Sequence, residues 1–178
     1  MGHRHSKDEL LAAAVEAAID DGLSRLTFGL LARRTGVSDR MLVYYFPTKD
    51  DLIGEVLVAI GGRLQAVLER AFTTPAADHR ALARAAWPVL ARPDVDPLFV
   101  RYFEAIGLAV AGEEPYRTLA EQLVEAWVSW LAGFVEGPAR HRRAEAEATV
   151  ALIDGLLLVR QLAGPTAAGR AATRLGLR

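Results

Sequence analysis

The 178-residue chain has no cysteine, which removes disulfides, thiolate nucleophiles and Cys-based zinc sites together. Lysine is scarce, with Lys7 and Lys49 alone among 21 basic residues. Charge of either sign is not in excess: the formal net charge is -1, so whole-chain electrostatics do not mark a nucleic-acid binder. Near the N-terminus, Arg4, Lys7, Arg25, Arg33, Arg34, Arg40 and Lys49 are offset by Asp8, Glu9, Asp20, Asp21, Asp39, Asp50 and Asp51. A surface for DNA would need the fold to sort its basic groups onto one face. No apolar run approaches the roughly 18 residues of a membrane span; the longest, 151–159, is broken by Asp154 and Gly155. The first residues lack a signal-peptide pattern, so the expected compartment is the cytoplasm.

Catalytic signatures are missing as well. There is no G-x-S-x-G, no P-loop and no G-x-G-x-x-G after a strand. Four histidines, at 3, 5, 79 and 141, are scattered, and no E-x-x-H pair suggests a di-iron bundle. His3-Arg4-His5 offers two ligands on a tail, a weak metal site. We expect no enzyme, no catalytic residue, no metal site and no cofactor.

What is present is helix. Ser6-Lys7-Asp8-Glu9 has the form of a capping box, Leu11, Val15, Ala18 and Ile19 share one face, and Gly22 supplies a stop. Thr27 caps a short second helix, and Ser38 a third that runs to about Tyr45. A Thr48/Asp51 box opens a fourth helix with the stripe Leu52, Val56, Ile60, Leu64, Val67, Leu68 and Phe72; Gly61-Gly62 interrupts it. A fifth starts near Asp78 and meets Pro88, which must kink or end it. Asp96-Pro97 and Glu114-Pro115 start a sixth and a seventh. An eighth runs from about Arg143 to Ala163, and 167–176 form a short ninth. The fold class is all-α, about nine helices. The expected division is residues 1–47 as a helix-turn-helix domain and 48–178 as a helical domain for ligand binding and dimerisation.

Residues 27–46, TFGLLARRTGVSDRMLVYYF, carry the most information. A short helix, a turn through Gly36 and a second short helix form a helix-turn-helix. Leu31, Val37, Leu42 and Phe46 are spaced to pin it to the first helix, which leaves Asp39, Arg40, Met41, Tyr44 and Tyr45 facing outward. An exposed Arg suits a guanine edge or a phosphate, a Tyr hydroxyl a phosphate oxygen, and a Met the thymine methyl. The competing reading is a helical corner whose Tyr pair packs on a neighbour.

The run Thr27, Leu31-Ala32, Gly36-Val37-Ser38, Tyr45-Phe46, Lys49 and Leu52 resembles the N-terminal signature of TetR-type repressors over about residues 8–60. The resemblance implies three DNA-binding helices, a connecting fourth, and a remainder that binds ligand and dimerises. It implies phosphate contacts from Thr27 and Ser38, with Lys49 reaching the DNA backbone, and a flexible arm at His3, Arg4 and His5. One departure is Val43, where the family commonly has Tyr. Asp39 and Arg40 fill positions that are often Lys and Gly.

The segment 78–136 is aromatic-rich. The resemblance implies a ligand cavity there, with Trp87, Phe99, Tyr102, Phe103, Glu104, Trp127, Trp130 and Phe134 as candidate lining; plain core is the other reading. Glu104 would anchor a ligand, face water or pair with Arg101. The eighth helix is apolar on nearly all sides around 151–159, so it must be covered on two sides. A homodimer interface through Ile153, Asp154, Leu156, Leu157 and Arg160 is expected. The partners are therefore double-stranded DNA, a small-molecule effector and a second copy, with no membrane. The alternative function is a helical small-molecule-binding or interaction protein with a degenerate DNA head.

Overall fold

The structure, a computed structural model, describes residues 6–177. Eight helices follow in order among them: α1 (Lys7–Asp21), α2 (Phe28–Thr35), α3 (Asp39–Tyr45), α4 (Lys49–Glu69), α5 (His79–Leu90), α6 (Asp96–Val110), α7 (Tyr116–Ala132) and α8 (Ala139–Arg174). Non-helical Gly164, at φ 86° and ψ 168°, divides α8 into 139–163 and 165–174. Counted so, there are nine helical stretches in the described residues, as the pattern predicts. No strand occurs among them; an isolated bridge joins Ala76 to Val135. Among the described residues no helix is long and apolar enough to cross a membrane. The His3-Arg4-His5 arm lies outside the described residues.

The helix starts follow the local chemistry. Ser6 Oγ accepts from Glu9 N at 3.2 Å, and Ser6 N donates to the Glu9 carboxylate at 2.8 Å, so two otherwise orphaned amides are satisfied reciprocally. Thr48 and Asp51 repeat the exchange at the head of α4. Asp78 caps α5 by accepting from Ala81 N, which holds its carboxyl below the usual range. Pro88 lies in the last turn of α5 and is tolerated there, the helix ending two residues later. Gly61-Gly62 does not interrupt α4, which runs on to Glu69, and a Cβ on Gly62 would meet nothing within 4 Å. The eighth helix begins at Ala139, earlier than expected, because Pro138 itself serves as its N-cap.

The chain divides into two compact units. The first comprises the described residues up to Gly62 with Arg101–Ala120, and the second comprises Arg63–Val100 with the described residues from Glu121 onward. In the first unit α1 packs on α2 and α2 on α3, over a core that includes Leu10, Val15, Leu23, Leu26, Leu31, Leu42, Phe46, Leu52, Ile53 and Val56. In the second, α5 packs on α8, and Leu82, Trp87, Leu90, Phe99, Leu156 and Leu157 are buried.

The face expected to meet a partner needs correction. Ile153, Leu156, Leu157 and Arg160 are buried within the chain, and Asp154 is half-buried. Arg160 forms a bidentate pair with Asp96 at 2.6 and 2.8 Å. These side chains belong to the protein's own core. The face of α8 left in water carries Ala151, Gly155, Leu158, Val159 and Leu162. On a helix that is apolar all round, sequence alone does not say which stripe is turned inward.

Candidate nucleic-acid interface

The head is built by three turns of chemistry. Thr27 is extended and accepts from Leu30 N at 3.1 Å. Gly36 closes α2 in the left-handed region, φ 73° and ψ 10°, which a Cβ would strain. Ser38 then accepts from Met41 N at 3.4 Å and starts α3. Each capping hydroxyl uses a lone pair, so its own proton remains available to an outside acceptor.

On α3, Leu42 is fully buried, as is Phe46 at its end. Together with Leu31 they fix the helix against the core, while Val37 is half-buried. The remaining positions follow from the 100° step of a helix. Asp39, Arg40, Val43 and Tyr44 are exposed, whereas Met41 and Tyr45 are half-buried. Tyr44 is 80% exposed, and its ring meets that of Tyr45 edge-on at 5.0 Å. Thr27, Ser38 and Lys49 are exposed as well.

The charges are partly sorted. Arg34 turns away to bridge Asp20 and Asp21, both at 2.8 Å. These carboxylates sit on the last turn of α1, where the helix end is electronegative and a cation is welcome. The hydrogen bond to Asp20 is the largest cause that raises the Arg34 pKa. Lys7 pairs with Glu55 at 2.7 Å and lies over the Phe46 ring. Arg33, Arg40 and Lys49 are exposed and make no ion pair among the described residues. Asp39 remains beside Arg40, so the face is mixed rather than uniformly basic.

The aromatic set expected to line one cavity falls into two groups. Tyr102, Phe103 and Glu104 belong to the first unit, and Trp87, Phe99, Trp127, Trp130 and Phe134 to the second. In the second unit Trp130 meets Trp127 at 5.5 Å and Phe134 at 4.8 Å. Phe72 joins them, 4.8 Å from Phe134 and 5.9 Å from Trp130. Sequence reading placed Phe72 in the helix stripe and missed this association. Trp87 is 2% exposed, and its indole N–H is buried without a partner. Glu104 does not simply face water: it accepts from Leu23 N and Ser24 N, both at 3.1 Å, as well as from Arg101. The histidines at 79 and 141, scattered in sequence, both approach Glu145, at 2.7 and 3.8 Å. Bonds from the His79 amide and ring hold that carboxyl below its usual range.

Residues 10–56 match the family model for bacterial regulatory proteins of the tetR family. No curated protein matches the chain. Solved structures share its fold along nearly the whole length. One, described as a TetR-family transcriptional regulator from Rhodococcus sp., has 22% identity over 96% of this chain and 94% of its own, at a TM-score of 0.73. A transcriptional regulator from Streptomyces coelicolor A3(2) has 23% identity over 95% and 96%, at 0.72. The multidrug binding protein EbrR, complexed with imidazole, has 24% identity over 98% and 93%, at 0.69.

Proposed function

We propose that this chain, whose residues 10–56 match the tetR-family model and whose fold is shared with a TetR-family regulator, is a TetR-type regulator that acts as a dimeric, ligand-released repressor of transcription. In this reading residues 1–47 are the DNA-reading head and 48–178 the sensing and dimerising part. Arg40, Met41, Tyr44 and Tyr45 meet base edges, Asp39 accepts from a cytosine amine, and Thr27, Ser38 and Lys49 hold phosphates. The observation that carries the reading is on α3. Leu42 and Phe46 are fully buried, while Tyr44 next to them is 80% exposed. With exposed Arg40 beside it, the ring and hydroxyl of Tyr44 make a protruding face suited to a base edge or a phosphate.

The dimer is assigned to the outward stripe of α8, Ala151, Gly155, Leu158, Val159 and Leu162, at the i, i+3/i+4 spacing of one helix face. Leu162 is 79% exposed in the single chain. Gly155 lets a partner helix approach closely. The effector is assigned to the second unit, near Trp87, Phe99, Trp127, Trp130 and Phe134. The unpartnered Trp87 N–H is a donor that a ligand acceptor would satisfy. A protein of this fold, EbrR, is named for multidrug binding, which supports a small molecule as the signal. Gly61-Gly62 would be the soft point of α4. Ligand binding that favours another head spacing lowers DNA affinity through linkage.

Selection of duplexes from a random pool by the purified protein tests this directly. The expected product is a near-palindrome whose half-sites lie about 34–36 Å apart, bound with strong salt dependence. Leu162→Glu is expected to give monomers in sedimentation and to lose that duplex. A protein that selects nothing at low salt refutes the regulator and leaves the small-molecule-binding alternative, which the Asp39 charge on α3 favours.

A further inference from the structure

Glu104 lies on the stretch of α6 that belongs to the same compact unit as the head. Its carboxylate is committed to backbone 81 and 80 residues away in sequence, the two amides that follow Gly22. Leu23 is fully buried, so its amide has no access to water as a substitute partner. Arg101, one turn earlier on α6, donates to the same carboxylate, and both side chains are about one fifth exposed, 18% and 21%. The approach is tight. Gly22 has φ +102°, and a Cβ there would stand 2.8 Å from Arg101 Nη1 and 3.2 Å from Glu104 Oε1. Asp96, the first residue of α6, is gripped by Arg160 within the second unit.

We infer that Glu104 is a latch through which α6 sets the position of the α1–α2 turn, and with it the stance of α2 and α3. The latch itself stands on the hydrogen-bond geometry; its regulatory meaning rests on the DNA-reading function proposed above. Hydrogen bonds from amides to a carboxylate are stronger than neutral ones and weaken steeply once stretched or bent. A shift of α6 by roughly 1 Å would lengthen both beyond hydrogen-bond range, so the latch is either closed or open. A ligand that moves α6 opens it and frees the turn, and DNA that requires the closed turn disfavours that movement by the same amount. Glu104 is thus a positioning residue and touches neither ligand nor DNA.

Amide hydrogen exchange, followed residue by residue on the full chain, tests the latch without any ligand. In Glu104→Ala, exchange at Leu23 and Ser24 should rise at least roughly tenfold, the equivalent of one lost hydrogen bond, with Ala146 and Leu157 of α8 unchanged. Affinity for a duplex selected by the wild-type protein should fall roughly tenfold. Glu104→Gln keeps one carbonyl oxygen and should fall between, while Arg101→Met keeps both amide acceptors and should stay near wild type. Unchanged exchange at Leu23 and Ser24 overturns the latch. An equal rise throughout the unit marks general destabilisation and also overturns it. Faster local exchange with unchanged affinity shows that the turn does not position the head. If the wild type selects no duplex, the DNA-reading function fails, and the exchange result alone decides the latch.

Discussion

Two edge-to-face aromatic pairs lie at similar ring distances, Tyr44 with Tyr45 at 5.0 Å and Trp127 with Trp130 at 5.5 Å, yet their surroundings differ. The tyrosines close off a seven-residue helix, and one of them keeps 80% of its surface in water. The tryptophans, half-buried like Tyr45, continue into half-buried Phe134 and into Phe72, which is 8% exposed. An aromatic contact inside a packed cluster stabilises the fold by area and dispersion. The same contact at the surface returns little to stability. Charge follows the same division. Arg160 of the second unit is 6% exposed and paired bidentately with Asp96, whereas Arg40 of the head is exposed without an ion pair among the described residues.

The largest effect should come from the packed cluster. Phe72→Ala removes the ring that touches both Trp130 and Phe134 and should cost about 3–5 kcal/mol, read as a lower denaturant midpoint with an unchanged slope. A loss below about 1 kcal/mol would mean the cluster collapses onto the gap or was loosely packed, and the contrast with the tyrosines would fade. A smaller effect is expected from a tyrosine of the head unit that is not exposed. Tyr116 is 5% exposed; burial first, then the negative Glu104, Glu113 and Asp50, push its pKa up to about 12. The folded phenol is kept protonated above the value of about 10 that it has when unfolded. Stability is therefore intact below pH 10 and falls between about pH 10 and 12, by up to about 1.4 kcal/mol per pH unit. Tyr116→Phe should remove that slope in alkaline denaturation. An unaltered slope would assign it to other groups.

Legibility in the sequence divides along the same line. The head was readable because its signals are local. Ser6 with Glu9, Thr27, Gly36, Ser38 and Thr48 with Asp51 each act within a few residues, and each cap forms where its spacing puts it. Leu42 and Phe46 lie one turn apart and are both buried, but between them it is Val43, not Tyr45, that shares the exposure of Tyr44. The second unit was less readable because its assignments are set by distant partners. Around 151–159 α8 is apolar on nearly all sides, and Arg160 is turned inward toward Asp96, 64 residues earlier. Leu158 and Leu162 are left outside while Leu156 and Leu157 are covered. Glu104 shows the same limit. Its neighbour Arg101 was visible at helical spacing, but the amides of Leu23 and Ser24 were not. Glycine raises a related problem at 61 and 62: a low helix propensity suggested a break, and the packed length of α4 overrode it.

The smallest effect on stability should be the most informative about function. Tyr44→Ala deletes a large ring, but that ring is mostly in water, so little buried area is lost. Edge-on contact with Tyr45 contributes about 0.5 kcal/mol at such exposure, close to the amount by which alanine's helix propensity exceeds that of tyrosine. The two terms oppose, and the midpoint of unfolding should stay within about 0.5 kcal/mol of wild type. Affinity for the selected duplex should nevertheless drop by about tenfold, the scale of one lost base or phosphate contact. Paired denaturation and binding measurements on one variant separate these outcomes. If the variant instead unfolds more than about 1.5 kcal/mol more easily and binds DNA as before, the ring is a structural prop for α3. The recognition face would then have to lie elsewhere on the head.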